Sequence, residues 1–227
     1  MPKIYSETFD DGPGGWEEWP NALKIENSCA VTKSPWWVDY NHAPPGGGYL
    51  HLLYCLYTGE SEDPSKNRDH VAGKNRFIEG GFPTDWTNAR VTVRIKGDLD
   101  MKGTQLVLLV QAKVGTHRQN HVLIGQPIEV KNDWSDQTIT LVPDQSQWVS
   151  LGTRHDRTDF YGHGDVADVL RDLNGDIIFV LHPVNVVPNG HIEGDKDILR
   201  AGKDYQVDET FLPSGHVMID EVRIVFP

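Results

Sequence analysis

The sequence has little cysteine and no long apolar run. Two cysteines, Cys29 and Cys55, are too few for a disulfide framework. We expect both to be buried free thiols in a reducing compartment, although the two could pair if their strands are neighbours. No segment approaches the roughly 18–20 consecutive apolar residues of a membrane span, and the N-terminus lacks the pattern of a signal peptide. We therefore expect a cytoplasmic protein, or a secreted one whose signal peptide is absent from this chain.

Positive charge is also scarce. Lys and Arg number 21 against 33 Asp and Glu, which gives a formal net charge of −12. A surface of that sign repels nucleic acid and anionic membranes, so neither is expected as a partner. Local basic clusters could still hold an acidic sugar.

Familiar catalytic signatures are missing. The chain has no His-Glu-x-x-His, Cys-x-x-Cys, P-loop, Gly-x-Ser-x-Gly or Rossmann glycine pattern, and no organic cofactor is expected. The Glu-x-Asp-x-x-Glu strand of laminarinase-like hydrolases is absent as well. Gln111-Ala112-Lys113 shares only its first residue with the Gln-Ile-His strand of jelly-roll alginate lyases.

What the sequence does have is a regular succession of short apolar runs between turn signals, with 22 Gly and 14 Pro. These runs predict strands at residues 3–9, 23–31, 49–57, 76–80, 90–96, 105–114, 121–130, 137–141, 176–182 and 217–226. Helical spacing of apolar residues predicts one short helix at 164–173. The expected fold is all-β, an antiparallel β-sandwich (jelly roll) with one short helix, in a single domain spanning 1–227.

The most distinctive segment is 34–54, SPWWVDYNHAPPGGGYLHLLY. Loops seldom carry adjacent tryptophans, so Trp36 and Trp37 indicate a contact surface. A flat indole can stack on the apolar face of a sugar ring, while Asp39, Asn41 and His42 bond its hydroxyls. The alternative is that both indoles cover the end of the sandwich core.

The two ends of the chain, TFDDGPGGW and VMIDEVRIVFP, resemble those of the carbohydrate-binding and concanavalin A-like jelly rolls. Regular alternation along the last strand would turn Asp220 toward the same face as Met218 and Val222, where a carboxylate needs a hydrogen bond or a cation. The resemblance implies a structural Ca²⁺ between the end strands, with Asp10, Asp11 and Asp220 as oxygen ligands. The alternative is that Asp220 accepts backbone N–H groups or lies at the strand edge.

Two further segments carry candidate site residues. Arg94, Gln111 and Lys113 are polar positions on alternating strands and could line one cleft, or simply face water. The loops around 116–121 and 148–161 add His, Arg and aromatic side chains. The candidate catalytic residues are His42, His117, His155, Tyr161 and Asp39; the candidate substrate-binding residues are Trp36, Trp37, Asn41, Arg94, Gln111, Lys113, Trp148 and Arg154.

Three functions fit these residues. The first is an enzyme that cleaves a glycosidic bond, either a lyase with a His or Tyr acid/base or a hydrolase with two carboxylates, for which Asp39 and Asp156 are the candidates. The second is a non-catalytic carbohydrate-binding module or lectin. The third, a protein-interaction role for the aromatic loop, has little support in a compact acidic chain. The long loops rich in His and Arg favour the enzyme, and a carbohydrate is the expected partner.

Overall fold

The described part of the chain forms two large β-sheets that pack face to face, and a separate pair of two-residue strands. The computed structural model describes residues 2–18, 21–39, 49–59, 74–152, 161–184, 187–188, 205–206 and 209–227. The strands are β1 (Ile4–Glu7), β2 (Trp16–Glu18), β3 (Asn21–Ala22), β4 (Lys24–Glu26), β5 (Cys29–Lys33), β6 (Val38–Asp39), β7 (Tyr49–Tyr57), β8 (Arg90–Asp100), β9 (Gln105–Val114), β10 (His117–Leu123), β11 (Ser135–Thr140), β12 (Trp148–Ser150), β13 (Tyr161–Gly162), β14 (Asp176–Val184), β15 (Val187–Pro188), β16 (Tyr205–Gln206) and β17 (Ser214–Val225). The α-helices within the described ranges are α1 (Arg76–Glu79) and α2 (Val166–Arg171). This architecture confirms the predicted antiparallel β-sandwich.

The smaller of the two facing sheets is built around β17. Across the described residues it has six strands in the order β11-β8-β17-β5-β4, with β1 also paired to β17. One edge of β17 pairs with β8 along most of its length. The other edge pairs first with β5 and then with β1, so the two ends of the chain lie side by side.

The larger sheet is built around β9 and β14. Its nine strands in the described residues include the path β12-β10-β9-β14-β7-β2-β3, with β13 beside β10 and β6 beside β7. Residues of β10, β9, β14 and β7 stand directly opposite one another across this sheet. Side chains from the four strands can therefore form transverse rows on either face.

Both faces of the nine-stranded sheet are apolar over most of its area. Its inner face meets the six-stranded sheet, with Leu106, Leu108 and Val110 in the main core. Its outer face holds a second buried cluster that includes Val107 and Leu109. Burial on both faces explains why β9 reads as a continuous apolar run rather than an alternating one.

A β-bulge in β17 changes the expected orientation of Asp220. Against β8, the register shifts between Ile219 and Glu221, which leaves one extra residue at this point. The buried residues are Val217 and Ile219 before the bulge and Val222 after it. Asp220 is therefore not on the core-facing side, and the prediction that it shares a face with Val222 was wrong.

Most strand predictions overlap the strands of the structure, and three differ. The predicted strand 121–130 coincides with β10 only at residues 121–123, because a turn follows at 124–125. Residues 76–80 form α1 instead of a strand, because the Asn75 side chain accepts hydrogen bonds from the amides of Phe77 and Ile78 and caps the helix. The predicted strand 23–31 is a hairpin of β4 and β5, turned by positive φ at Asn27 and Ser28. The predicted helix at 164–173 is α2, capped by Asp165.

The N-terminal segment is tied to α1 by a buried carboxylate. The Glu7 side chain is completely buried, and its Oε1 accepts from Arg76 Nη1 at 2.7 Å and from the Phe9 amide at 3.0 Å. Arg76 Nη2 also donates to the Asp11 carbonyl at 2.8 Å. Burial raises the pKa of Glu7, while the Phe9 amide and the Arg76 guanidinium oppose that rise. Arg76 thus supplies the positive charge that pairs with the buried Glu7.

The structure also settles two expectations about composition. Cys29 and Cys55 are both buried, lie on different sheets and do not form a disulfide. None of the helices in the described ranges has the length and apolar character that crossing a bilayer requires. The single-domain assignment for 1–227 stays a prediction.

Candidate functional site

The two adjacent tryptophans have different environments. Trp36 lies in the main core at 5% exposure, and its indole N–H donates to Thr32 Oγ1 at 2.8 Å. Trp37 is 36% exposed. A ring packed in the core cannot stack on a ligand, so the structure corrects the platform prediction for Trp36 and leaves it in place for Trp37. Asn41 and His42 lie outside the described residues, and of Asp39 only the backbone pairing with Leu50 is described.

The third tryptophan of the predicted site, Trp148, is also a core residue. It is buried, and its indole N–H donates to the Val142 carbonyl at 2.9 Å. Trp148 packs in the main core and is not part of a ligand-facing surface, which corrects its predicted role. Arg154, His155 and Asp156 lie outside the described residues, and Tyr161 is described only through its backbone pairing with Arg118.

The predicted cleft of Arg94, Gln111 and Lys113 does not form as one site. Arg94 is on β8 of the six-stranded sheet, where it makes ion pairs with Asp136 at 3.3 Å and Asp220 at 3.1 Å. Gln111 and Lys113 are on β9 of the other sheet. Alternation puts these two on one face, so the structure keeps that pair together and separates Arg94 from it.

The three predicted calcium ligands have other contacts. Asp10 accepts a hydrogen bond from the Thr8 hydroxyl at 2.7 Å, and the Asp11 carbonyl accepts from Arg76. Asp220 pairs with Arg94 and lies on the solvent side of its sheet, because of the bulge. Within the described ranges, no three His, Cys, Asp or Glu side chains are grouped as a metal site requires. The Ca²⁺ ion stays a prediction without support from these contacts.

Instead, the structure brings together a polar row on the outer face of the nine-stranded sheet. Asn120 stands opposite Gln111, Gln111 opposite Asp176, and Asp176 opposite Tyr57. Gln111 Nε2 donates to Asp176 Oδ2 at 2.8 Å. We call these four residues the polar row. Three of them are buried, and Tyr57 is partly exposed.

Cationic side chains lie next to the polar row, toward the end of the sheet. Arg118 and Lys113 stand directly opposite each other on β10 and β9, two residues along from Asn120 and Gln111. Lys113 is exposed. Arg118 Nη1 lies close to Gly175, the residue before β14. On the other side of the row the sheet face is apolar, starting with Leu109. The face therefore changes from apolar to polar to cationic along the strands.

Sequence reasoning found two members of this site and missed four. Gln111 and Lys113 were identified because they end the apolar run of β9. The sequence predicts a loop at 116–121, whereas residues from His117 onward form β10. The signal that could have found Arg118 and Asn120 is their period-two spacing with Val122. His117 lies at the start of β10, where its Nδ1 is 3.0 Å from the Thr116 hydroxyl, and alternation turns it away from the polar row.

Lowering the pH below about 6.5 is expected to destabilise the fold through two buried histidines. Burial lowers the pKa of His51 and of His121 below the usual 6.5, while hydrogen bonds to the carbonyls of Trp37 and Gly164 oppose that shift. The unfolded chain then binds protons that the folded imidazoles do not. This contribution to the free energy of unfolding is complete above the unfolded pKa and is lost as the pH falls through the folded pKa values.

Chemical denaturation between about pH 8 and pH 5 measures this dependence. His51→Gln and His121→Gln should each make the free energy of unfolding less sensitive to pH. An unchanged pH dependence in both variants would show that neither histidine causes it.

Comparison with known proteins adds little to this geometry. No protein-family model matches the chain, and no curated protein matches it. Among solved structures it is similar to the solution structure of CtCBM11, a carbohydrate-binding module reported with its dynamics and binding studies. That similarity covers 99% of this chain and 95% of that chain, at 12% sequence identity and a TM-score of 0.36. So low a TM-score assigns neither a family nor a ligand, and the fold is established by the two sheets themselves.

Proposed function

We propose that this protein binds a carbohydrate on the outer face of the nine-stranded sheet. The observation that carries the proposal is the polar row, in which Gln111 and Asp176 are hydrogen-bonded to each other at 2.8 Å on an otherwise apolar sheet face. Polar side chains are rarely placed in such a face. An amide and a carboxylate held in fixed positions suit hydroxyl groups, which both donate and accept hydrogen bonds.

The surroundings of the polar row fit a sugar better than an apolar ligand or a nucleic acid. The partly exposed ring of Tyr57 can pack against the C–H face of a pyranose, and Lys113 can donate to its oxygens. The net charge of −12 disfavours nucleic acid. Trp37 is exposed just before β6, an outer strand of the same sheet, and offers a second aromatic surface.

The proposed activity is binding without cleavage. Of the candidate acids and bases, His42 and His155 lie outside the described residues, and His117 is turned away from the polar row. Asp176, the described carboxylate of the row, is engaged by Gln111. Cleavage by a lyase or hydrolase remains the second hypothesis, and product analysis distinguishes it from binding.

The test is a glycan array followed by calorimetry on the best-binding oligosaccharide. Gln111→Leu is expected to weaken binding about tenfold or more, because it removes the amide that positions Asp176 as well as a hydrogen-bonding group. Lys113→Ala is expected to weaken binding by a smaller factor, since the exposed lysine makes a solvent-screened contact.

Thr138→Ala is the matched control, because Thr138 is exposed on the six-stranded sheet and bonds only across to Thr92 at 2.9 Å among the described contacts. It should bind as the parent does. Equal affinities for Gln111→Leu and Thr138→Ala would place the site elsewhere. New reducing ends, or the ultraviolet absorbance of an unsaturated sugar, would replace the binding proposal with hydrolase or lyase activity.

A further inference from the structure

Asn120 differs from the other members of the polar row. Its side chain is completely buried, yet within the described part of the chain neither the Nδ2 donor nor the Oδ1 acceptor has a hydrogen-bond partner. A buried amide without partners has given up its hydrogen bonds to water and gained none in return. Native proteins retain few such groups, and those that persist tend to have a functional reason.

Asn75 shows what the same side chain does when its role is structural. It is nearly as buried, at 6% exposure, and all of its hydrogen bonds are internal. Its Oδ1 accepts from the amides of Phe77 and Ile78, and its Nδ2 donates to the Tyr57 carbonyl at 2.8 Å. The fold is therefore able to satisfy a buried asparagine, and it does not do so at Asn120.

The chemistry of the amide restricts what can complete it. A cation would satisfy only Oδ1, and an anion would satisfy only Nδ2. A pair of adjacent hydroxyl groups satisfies both, because one can donate to Oδ1 while the other accepts from Nδ2. The neighbouring positions agree with such a ligand: Gln111 stands directly opposite Asn120, and Val122 continues the same face as an apolar surface.

We propose that Asn120 is a specificity-determining residue that recognises two neighbouring hydroxyl groups on one sugar ring. This inference rests on the proposed carbohydrate-binding function and names the part of the ligand that the site selects. Part of the binding energy comes from removing a cost that the unliganded fold carries. Sugars that lack either hydroxyl leave half of the amide unsatisfied and bind more weakly.

The experiment compares Asn120→Leu, Asn120→Ala and Asn75→Leu with the parent protein. The probes are hexasaccharides of cellulose, xylan, mannan and β-1,3-glucan type, and then methyl glycosides of the best-binding sugar that each lack one hydroxyl. We expect affinity to fall about tenfold or more in both Asn120 variants. The parent should lose affinity for two deoxy analogues at adjacent ring positions, and Asn120→Ala should not distinguish those analogues.

Thermal stability without ligand separates a recognition role from a structural one. Asn120→Leu should melt at or above the temperature of the parent, because the substitution removes an unsatisfied amide at nearly the same volume. Asn75→Leu should melt well below it, because three hydrogen bonds are lost. If Asn120→Leu is too distorted to fold, Asn120→Ala supplies the binding and deoxy-sugar comparisons.

The outcomes distinguish the two proposals. If none of the four hexasaccharides binds the parent, the proposed function fails and this inference falls with it. If the parent binds and both Asn120 variants bind equally well, the function stands and the role of Asn120 is overturned. A melting temperature for Asn120→Leu as low as that of Asn75→Leu would also overturn it, because it would show that the amide is satisfied in the folded protein.

Discussion

Replacing Trp36 with alanine should cost about 3–5 kcal/mol of unfolding free energy. Its indole is 5% exposed in the main core, and its ring centroid lies 6.0 Å from that of His51. The indole N–H also donates to Thr32 Oγ1, which itself donates to Glu18 Oε1. The substitution therefore opens a large cavity and breaks a chain of buried hydrogen bonds. Equilibrium denaturation of the parent and the variant measures the difference.

Trp37→Ala is the control that the chain provides at the next position. Because Trp37 is 36% exposed, its loss should change the free energy of unfolding by less than about 1 kcal/mol. If the ring stacks on a sugar, glycan affinity should fall in this variant while stability does not. Similar stabilities for Trp36→Ala and Trp37→Ala would contradict the division of the pair into a core residue and a surface residue.

Replacing Arg76 with alanine should cost about 3–5 kcal/mol, because it leaves the buried Glu7 carboxylate without its cation. The 2.7 Å contact to Glu7 and the 2.8 Å contact to the Asp11 carbonyl are both lost. The defect should shrink as the pH is lowered, since burial raises the pKa of Glu7 and a protonated carboxyl no longer needs the guanidinium. The measurement is chemical denaturation of parent and variant at neutral and acidic pH.

Arg171→Ala is the matched control for Arg76→Ala. Arg171 contacts Asp168 at 2.8 Å, nearly the same distance, but both side chains are largely exposed on α2. That loss should amount to less than about 1 kcal/mol. Glu7→Gln should recover part of the stability lost in Arg76→Ala, because it removes the charge that requires compensation. Equal losses of unfolding free energy in the two arginine variants would show that the burial of Glu7 does not determine the cost of Arg76→Ala.

The sequence predicts the fold wherever a pattern is long enough to exclude alternatives. The bounds of β7 and β9 agree with the predicted strands, because nine and ten residues of mostly apolar sequence leave little choice. Residues 76–80 were misassigned, since Phe77 and Ile78 are equally typical of a strand. The cap at Asn75, whose side chain reaches two amides of the first turn, decides the matter.

The candidate site could be predicted only in part, because it depends on register. Gln111 and Lys113 are recognisable on a single strand, since alternation alone places them on one face. Asn120 and Asp176 stand on either side of Gln111 because β10 and β14 both pair with β9. Since β14 is far from β9 in sequence, a single strand does not reveal this arrangement. Trp36 and Trp37 show the same difficulty: only the packing of the sheets determines which ring lies inside.

The bulge at Asp220 has a consequence for how the last strand can vary. Val217 and Ile219 before it, and Val222 and Ile224 after it, would form one unbroken alternating series if Asp220 were deleted. Asp220 is therefore a spacer that resets the phase of the strand between the part beside β5 and the part beside β1. It is the position in β17 where a residue can change its charge, or be lost, without turning a core side chain toward solvent.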